Sequence, residues 1–367
     1  MGFDTSPLFG HRTGIGFAVE AVRDAVAARS DIELIEYVLS FRARPAPPAR
    51  RLPIPALVAH RCWAYGERPR VDRWLGDLDV IHGTNYIVPP SARPRVVSVY
   101  DCWFLRHPEQ ARPAVRLAGH VLQRSVATGA VIHASSKATA AAVRELLPGA
   151  SVHTVHLAAL PVPPCPASSP IPQLAGRPYV LAIGTLERRK NLPRLVQAFG
   201  TVAGLDPDLQ LVLAGGDGDD RDAIHAAVDA LGDRAHRVMF TGRVDEAARS
   251  WLLHHATVVA YPSLDEGFGF PLLDAMQVGV PLVASDAGSI PEVAGDAALL
   301  CSATDVDALA GNLTIALTSP SVRAHLVAAG NAQWPRFSWR RCGDELADLY
   351  RTVAAGHEDG GEHRRRP

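Results

Sequence analysis

Short apolar runs alternate with alanine-rich helical stretches along almost the whole chain, and this alternation leaves few architectures open. In the first half LDVIHGT (78–84), RVVSVYD (95–101) and AVIHASS (130–136) read as strands ending in small or polar residues; FAVEAVRDAVAAR (17–29) and KATAAAVRELL (137–147) read as helices. In the second half RPYVLAIGT (177–185), LQLVLAGG (209–216), RVMFTGR (237–243), ATVVAYPS (256–263) and VPLVASD (280–286) read as buried strands. The helices between them are LPRLVQAFGTVAGL (192–205), RDAIHAAVDAL (221–231), AARSWLL (247–253) and PLLDAMQVG (271–279). Strands of this kind are covered on both faces, which predicts α/β architecture with parallel sheets and helices on either side.

At 367 residues the chain exceeds one ordinary core and predicts two domains of roughly 150–180 residues each. The break falls at PVPPCPASSPIPQLAGRP (161–178), whose prolines suit neither a helix nor a central strand. The expected organisation is residues 1–160, a linker 161–178, and a second domain 179–333. Two doubly wound, Rossmann-like domains joined this way are expected to face each other across a cleft, with ligands at the carboxyl ends of their strands. The segment 353–367 is polar and is expected to be disordered.

Composition narrows the function classes. Apolar residues at 47% and charged residues at 20% are a soluble balance, and no apolar run approaches the ~20 residues that span a bilayer. The first residues lack a basic segment followed by an apolar one, so no signal peptide is expected. The five cysteines (Cys62, Cys102, Cys165, Cys301, Cys342) form no CxxC pair and read as reduced thiols of a cytoplasmic protein. Residues 1–160 hold 19 basic and 13 acidic side chains, a balance of +6; the remainder hold 18 and 25, a balance of −7. No basic stripe interleaved with aromatics points to nucleic acid. Arg106, Arg112, Arg116 and Arg124, set among apolar residues, suit either a solvated helix face or a peripheral contact with the inner face of the cell membrane.

Two stretches carry the chemistry. In LDEGFGFPLLDAM (264–276) a loop at a strand's carboxyl end feeds a helix, with Pro271 suited to its first position and Gly279 to its stop. A helix N-terminus attracts anions, and Gly267 and Gly269 allow close approach of the backbone. Glu266 and Asp274 flank that terminus, which suits a phosphate between two hydroxyl-bearing rings, as in a nucleoside diphosphate sugar. A loop-capping Glu266 with Asp274 in a favourable first turn fits equally. In VLAIGTLERRKN (180–191), Arg188, Arg189 and Lys190 follow a strand end and could neutralise a diphosphate, or form a solvated basic turn. Lys190 is one of only two lysines against thirty-five arginines. Gly14-Ile15-Gly16 opens a helix and is a weaker phosphate signal. GGDGDD (215–220) reads as a turn, no Asp-x-Asp motif suggests a metal, and no strand leads into the GxGxxG of a nicotinamide enzyme.

EGFGFPLLDAMQVGVPLVASDAGSIPEVAGDAALL (266–300) resembles the signature region of glycosyltransferase family 4, a group of retaining enzymes with the GT-B fold whose hallmark is Glu-x7-Glu, here Glu266 with Asp274 in place of the second glutamate. GTLERRKNL (184–192) resembles its phosphate-binding loop and GHRTGIGFAVEAV (10–22) its N-terminal glycine loop. DVIHGTNY, VVSVYDCWFLRHPE and VIHASSKAT follow in the family's order. RFSWRRCGDELADLYR (336–351) resembles the last helix, which implies that residues 334–352 return to the first domain. The resemblance implies that Lys190 and Arg189 bind the donor diphosphate, Arg189 standing in for an arginine that relatives carry at Thr185. It implies that Glu266 holds hydroxyls of the transferred sugar, and that the backbone of Gly267, Phe268, Gly269, Phe270, Pro271 and Leu272 cradles the distal phosphate. Asp274 would take the ribose hydroxyls, Gly242 and Arg243 would lie beside the base, and Gly14 and Gly16 would face the diphosphate from the other domain. Val99-Tyr100-Asp101-Cys102 departs from the family's V-H-D-L, so Tyr100, beside Asp101, replaces a titrating histidine.

The resemblance thus implies a retaining transfer of a mannose-, glucose- or related hexose-type sugar from a nucleoside diphosphate sugar to a hydroxyl of a glycan or lipid-linked acceptor. It implies no metal and no cofactor beyond the donor. Tyr100 and Asp274 keep open an alternative, a catalytically silent sugar-nucleotide binder in an assembly complex.

Overall fold

A computed structural model describes residues 1–9 and 14–363. Two compact units emerge, one comprising Met1–Ala158 with the chain from Phe337 onward, the other Ala159–Arg336. The first unit runs β1 (Gly2–Asp4), α1 (Gly14–Ala27), β2 (Ile35–Leu39), β3 (Arg50–Leu52), α2 (Ala56–Tyr65), α3 (Asp72–Leu75), β4 (Ile81–Gly83), β5 (Arg95–Val99), α4 (Trp103–Arg106), α5 (Pro113–Ala127), β6 (Val131–Ala134), α6 (Lys137–Leu146) and β7 (Val152–Thr154). Its seven strands are all parallel, in the order β3-β2-β1-β4-β5-β6-β7. The first strand has only three residues, yet it lies mid-sheet and buries Phe3 completely.

The second unit runs β8 (Tyr179–Ile183), α7 (Leu192–Val202), β9 (Gln210–Ala214), α8 (Arg221–Asp229), β10 (Val238–Gly242), α9 (Glu246–His255), β11 (Val258–Tyr261), α10 (Phe270–Gln277), β12 (Leu282–Ser285), α11 (Ile290–Ala294), β13 (Ala298–Cys301), α12 (Val306–Thr318) and α13 (Pro320–Gln333). Its six parallel strands are ordered β10-β9-β8-β11-β12-β13. Apolar runs such as Val180, Leu211, Leu213, Val258 and Val283 pack against Leu195, Phe199 and Leu313 of the covering helices. Two parallel, doubly wound sheets are the fold class expected from the alternation.

Two expected boundaries move. The proline-rich segment, expected to be a bare linker, is strapped to the second unit. Ser250 Oγ lies within donating distance of two of its carbonyls, Pro163 O at 2.6 Å and Pro164 O at 3.3 Å, and Gln277 Nε2 donates at 2.8 Å to Leu160 O just before it. The last helix, α14 (Trp339–His363), runs past 352 into the stretch expected to be disordered. No proline interrupts it before Pro367, and Ala354 and Ala355 favour its continuation. Among the described residues, no helix is long and apolar enough to cross a membrane.

A buried chain of hydrogen bonds fastens α14 to the first sheet. The Tyr350 hydroxyl lies 2.7 Å from His82 Nδ1, His82 Nε2 2.8 Å from Ser98 Oγ, Ser98 Oγ 2.8 Å from His133 Nδ1, and His133 Nε2 3.0 Å from Val155 O. One assignment satisfies every link. Each histidine carries its proton on Nε2, and the Tyr350 and Ser98 hydroxyls donate to the Nδ1 atoms. Both imidazoles are wholly buried, and burial lowers their pKa, that of His133 to about 4. Tyr350→Phe orphans His82 Nδ1 and is expected to cost about 1–3 kcal/mol by urea unfolding at pH 7.5. A depressed histidine pKa stabilises the fold above the unfolded value of 6.5 and loses that contribution as pH falls toward 4. The stability advantage of the wild type over His133→Asn is therefore expected to shrink across that window; an advantage constant from pH 7.5 to 4.5 would contradict the assignment.

Candidate functional site

The second sheet reverses its winding between β8 and β11, so the loops leaving these strands diverge at their carboxyl ends. Doubly wound sheets bind ligands at such a switch point. After β8 the chain makes a single 3-10 turn, Arg188–Lys190, closed by Asn191 in the left-handed region (φ 57°). Asn191 Nδ2 donates to Pro262 O at 2.8 Å and to Ala303 O at 2.7 Å, and Leu264 N donates to Arg189 O at 2.7 Å. These bonds lock the basic turn against the loop after β11.

The lock brings three sequence-predicted residues together. Lys190 Nζ donates to Glu266 Oε1 at 2.6 Å and to Tyr261 OH at 2.9 Å. Arg189 Nη1 lies 2.6 Å from Glu266 Oε2 and donates to Asp265 O at 3.0 Å. Glu266 is 6% exposed. Burial alone would raise its pKa, but Arg189 and Lys190 outweigh that and hold it down to about 2. Burial lowers the Lys190 pKa, with Glu266 opposing. Arg189 Nη2 also lies 3.6 Å from Glu187 Oε2, so the two cations meet two carboxylates, and Glu266 retains lone pairs for hydroxyl donors. Arg188, by contrast, is exposed, its amide held by Asp219 Oδ1 at 3.0 Å in the GGDGDD turn.

The loop after β11 is buried from Glu266 to Gly269. Gly269 caps α10 with φ 89°, a conformation that favours glycine. The helix begins at Phe270, so Pro271 takes the second position rather than the expected first; its missing N–H is one of the helix's unpaired donors there too. Ser289 N donates to Glu266 O at 2.9 Å, and a Cβ on Gly288 would come within 2.5 Å of that oxygen. The DAGS turn therefore clamps the Glu266 backbone.

Asp274, also buried, faces Arg249 of α9, whose Nη2 donates to its Oδ2; Arg249 also bonds Glu246 Oε2 at 3.2 Å. Asp274 Oδ1 is buried with no hydrogen-bond partner among the described residues. Burial raises the Asp274 pKa to about 6, with Arg249 opposing. Thr185 is exposed just beyond β8. Gly242 and Arg243 are exposed at the end of β10, with the Arg243 guanidinium beside Gly216 of the loop after β9.

The remaining predicted residues belong to the first unit. Tyr100, 7% exposed, packs its ring edge-on to Tyr86 with centroids 6.2 Å apart, and burial raises its hydroxyl pKa. Asp101 Oδ1 accepts from Trp103 N at 3.1 Å and Oδ2 from Tyr86 OH at 3.3 Å. Gly14 and Gly16 form the first turn of α1; Gly10 to Thr13 lie outside the described residues. Sequence reasoning missed Tyr261, Asn191 and Arg249. Asn191, a residue tolerant of the left-handed region directly before Leu-Pro, offered the one usable signal. Nothing in the local sequence around Arg249 points to Asp274.

Residues 168–333 match the family Glycosyl transferases group 1. The chain is 32% identical over 300 residues to an O-antigen chain mannosyltransferase B of Escherichia coli, covering 78% of each. It is 30% identical over 353 residues to a phosphatidyl-myo-inositol mannosyltransferase of Mycobacterium leprae, covering 91% of this chain and 89% of the relative. Among solved structures, sucrose-phosphate synthase from Thermosynechococcus elongatus superposes with a TM-score of 0.73 at 18% identity, over 97% of this chain and 99% of that one. Anabaena Alr3699/HepE in complex with UDP-glucose does so with 0.67 at 16%, over 96% and 99%. With two doubly wound parallel sheets, these likenesses make the architecture GT-B.

Removing the Arg249 cation strands a buried carboxylate. Arg249→Met is expected to cost about 3–5 kcal/mol at pH 7.5. Asp274, whose folded pKa is about 6 even with Arg249 opposing, protonates more readily once Arg249 is gone, so the cost should be smaller at pH 5. Arg249→Met/Asp274→Asn should recover most of it; urea unfolding of the three proteins at both pH values decides the matter.

Proposed function

This chain belongs to the glycosyl transferases of group 1, and from that premise we propose that it moves a hexose, of the mannose type, from a nucleoside diphosphate sugar to a hydroxyl of a glycan or lipid-linked acceptor with retention at the anomeric carbon. The observation that carries the donor reading is the Lys190–Glu266–Arg189 cluster at the winding switch of the second sheet. A departing nucleoside diphosphate develops negative charge on its phosphate oxygen. Lys190, Arg189 and the positive end of α10 are preorganised to stabilise it, so the charge needs no metal. Glu266 accepts hydrogen bonds from the sugar's hydroxyls, and Asp274 Oδ1 has room in its hydrogen bonding for a ribose hydroxyl. Retention follows if the acceptor oxygen bonds to the anomeric carbon on the face the diphosphate leaves, while the leaving phosphate oxygen takes the acceptor's proton. The mannose reading is supported by the names of the two relatives. The arginines of α5 and the loop before it support a peripheral membrane position.

Tyr100 favours a second reading. It is a buried phenol whose pKa is raised, standing where the resemblance expects a titrating histidine, so a silent binder of sugar nucleotides is the alternative. Release of nucleoside diphosphate from UDP- and GDP-hexoses, with and without glycan acceptors, separates the two. Turnover unaffected by EDTA is expected, with Lys190→Met lowering kcat by about 10²–10³-fold. Melting shifts without turnover would transfer support to the silent reading, and neither shift nor turnover would remove both.

A further inference from the structure

An ammonium has three N–H bonds, and where each points decides what a lysine in a site can do. Among the described residues Lys190 Nζ has two hydrogen-bond partners, Glu266 Oε1 at 2.6 Å and Tyr261 OH at 2.9 Å. One N–H is left over, and the side chain keeps 12% exposure, so the ammonium is not sealed in. The stem is gripped as well. A Cβ on Gly184, just beyond β8, would come within 3.2 Å of Lys190 Cε.

Tyr261, the last residue of β11, meets this lysine twice. Its hydroxyl oxygen accepts from Nζ, and Nζ lies 4.6 Å from the centroid of its ring, within reach of the ring's attraction for a cation. Burial, and then the Glu266 charge, raise the phenol's pKa, so the hydroxyl stays neutral and acts toward Nζ as an acceptor. Its own proton turns to Glu266. Lysine, tyrosine and glutamate thus close a triangle in which each is oriented by the other two. A phenylalanine would fill the same volume at this strand end; the hydroxyl adds only the contacts with Lys190 and Glu266.

We propose that Tyr261 is a positioning residue of the transfer: it holds the Lys190 ammonium in its charged form, with a single N–H directed at the phosphate oxygen that departs from the anomeric carbon. That oxygen keeps the electron pair of the breaking C–O bond, and a donor already oriented needs no reorganisation when the charge appears. Assigning the N–H to a departing phosphate rests on the glycosyltransferase reading; the grip of Tyr261 on Lys190 does not.

The charges that face Lys190 are Glu266 from the loop after β11, Arg189 from its own turn and Glu187 from the loop after β8. Tyr261→Phe leaves all three in place and removes one acceptor from the ammonium, which should then lose its proton about one pH unit lower. The chain has only two lysines, Lys137 and Lys190, so the full chain made with lysine carrying carbon-13 at Cε gives two NMR signals, assigned with Lys137→Arg. The alkaline titration of the Lys190 signal is expected to move down by that unit in Tyr261→Phe, with Lys137 as internal reference. On a UDP- or GDP-hexose that the wild type turns over, Tyr261→Phe should lower kcat about tenfold, hold KM within about twofold, and move the alkaline limb of kcat the same way. A tyrosine with a structural role alone would lower the melting temperature and leave titration and kcat where they were.

An unmoved Lys190 titration, or an unchanged kcat where the wild type turns over, would overturn the proposal. Absence of wild-type turnover removes the donor reading and with it the phosphate assignment, while the titration still decides the grip. Should Tyr261→Phe not fold, the wild type suffices: nuclear Overhauser contacts between the Lys190 Hε protons and the Tyr261 ring are expected, and their absence overturns the proposal.

Discussion

A carboxylate buried to the degree of Glu266 stays ionised only if cations meet it, and the second unit is organised around meeting that demand. Both its oxygens take a cation at 2.6 Å. An unpaired charge there would cost several kcal/mol, which the two cations offset. The neighbouring features are consequences. The basic turn must close on a left-handed Asn191 so that adjacent side chains Arg189 and Lys190 both point at one carboxylate. Gly288 must lack a Cβ so that the DAGS turn can grip the Glu266 backbone. Tyr261 must end β11 with its hydroxyl toward Lys190 Nζ.

The two units use one geometric device with opposite chemistry. In each, a parallel sheet changes winding beside its first strand, and diverging loops leave space at the strand ends. At β8/β11 that space is edged by cations and the N-terminus of α10, which suits an anion. At β1/β4 it is edged by the Asp4 carboxylate and the aliphatic Leu39, Leu52 and Ile87.

Legibility followed burial. β8, β9, β11 and β12 are apolar throughout because both faces are covered, and each lay where the apolar runs placed it. β3 and β7 escaped notice because they edge their sheet and carry arginines or a histidine; β2 did so because Glu36 breaks its run. In the site, Glu266, Lys190 and Arg189 were legible because loop, glycine and helix-start signals surround them. Arg249 was not, because an exposed-looking arginine within AARSWLL acquires its meaning only when the fold brings it to Asp274 of α10. The proline-rich segment misled for a similar reason: composition marks it as irregular, but Ser250 holds Pro163 and Pro164 in place.

The order of residues by itself determined the alternation of strand and helix, the break near residue 160, and the two motifs that flank the second sheet's switch point. These are local properties, written in periodicity and in the conformational demands of glycine and proline. Only tertiary structure decided which charges meet. It joined Glu266 to two cations 76 and 77 positions away and set Asp274 on Arg249 25 positions away. It also left Asp274 Oδ1 buried with no hydrogen-bond partner among the described residues. Pairings of that kind depend on distance through space in a medium of low polarity, where a few ångströms decide whether a group is charged, and sequence carries no record of that distance.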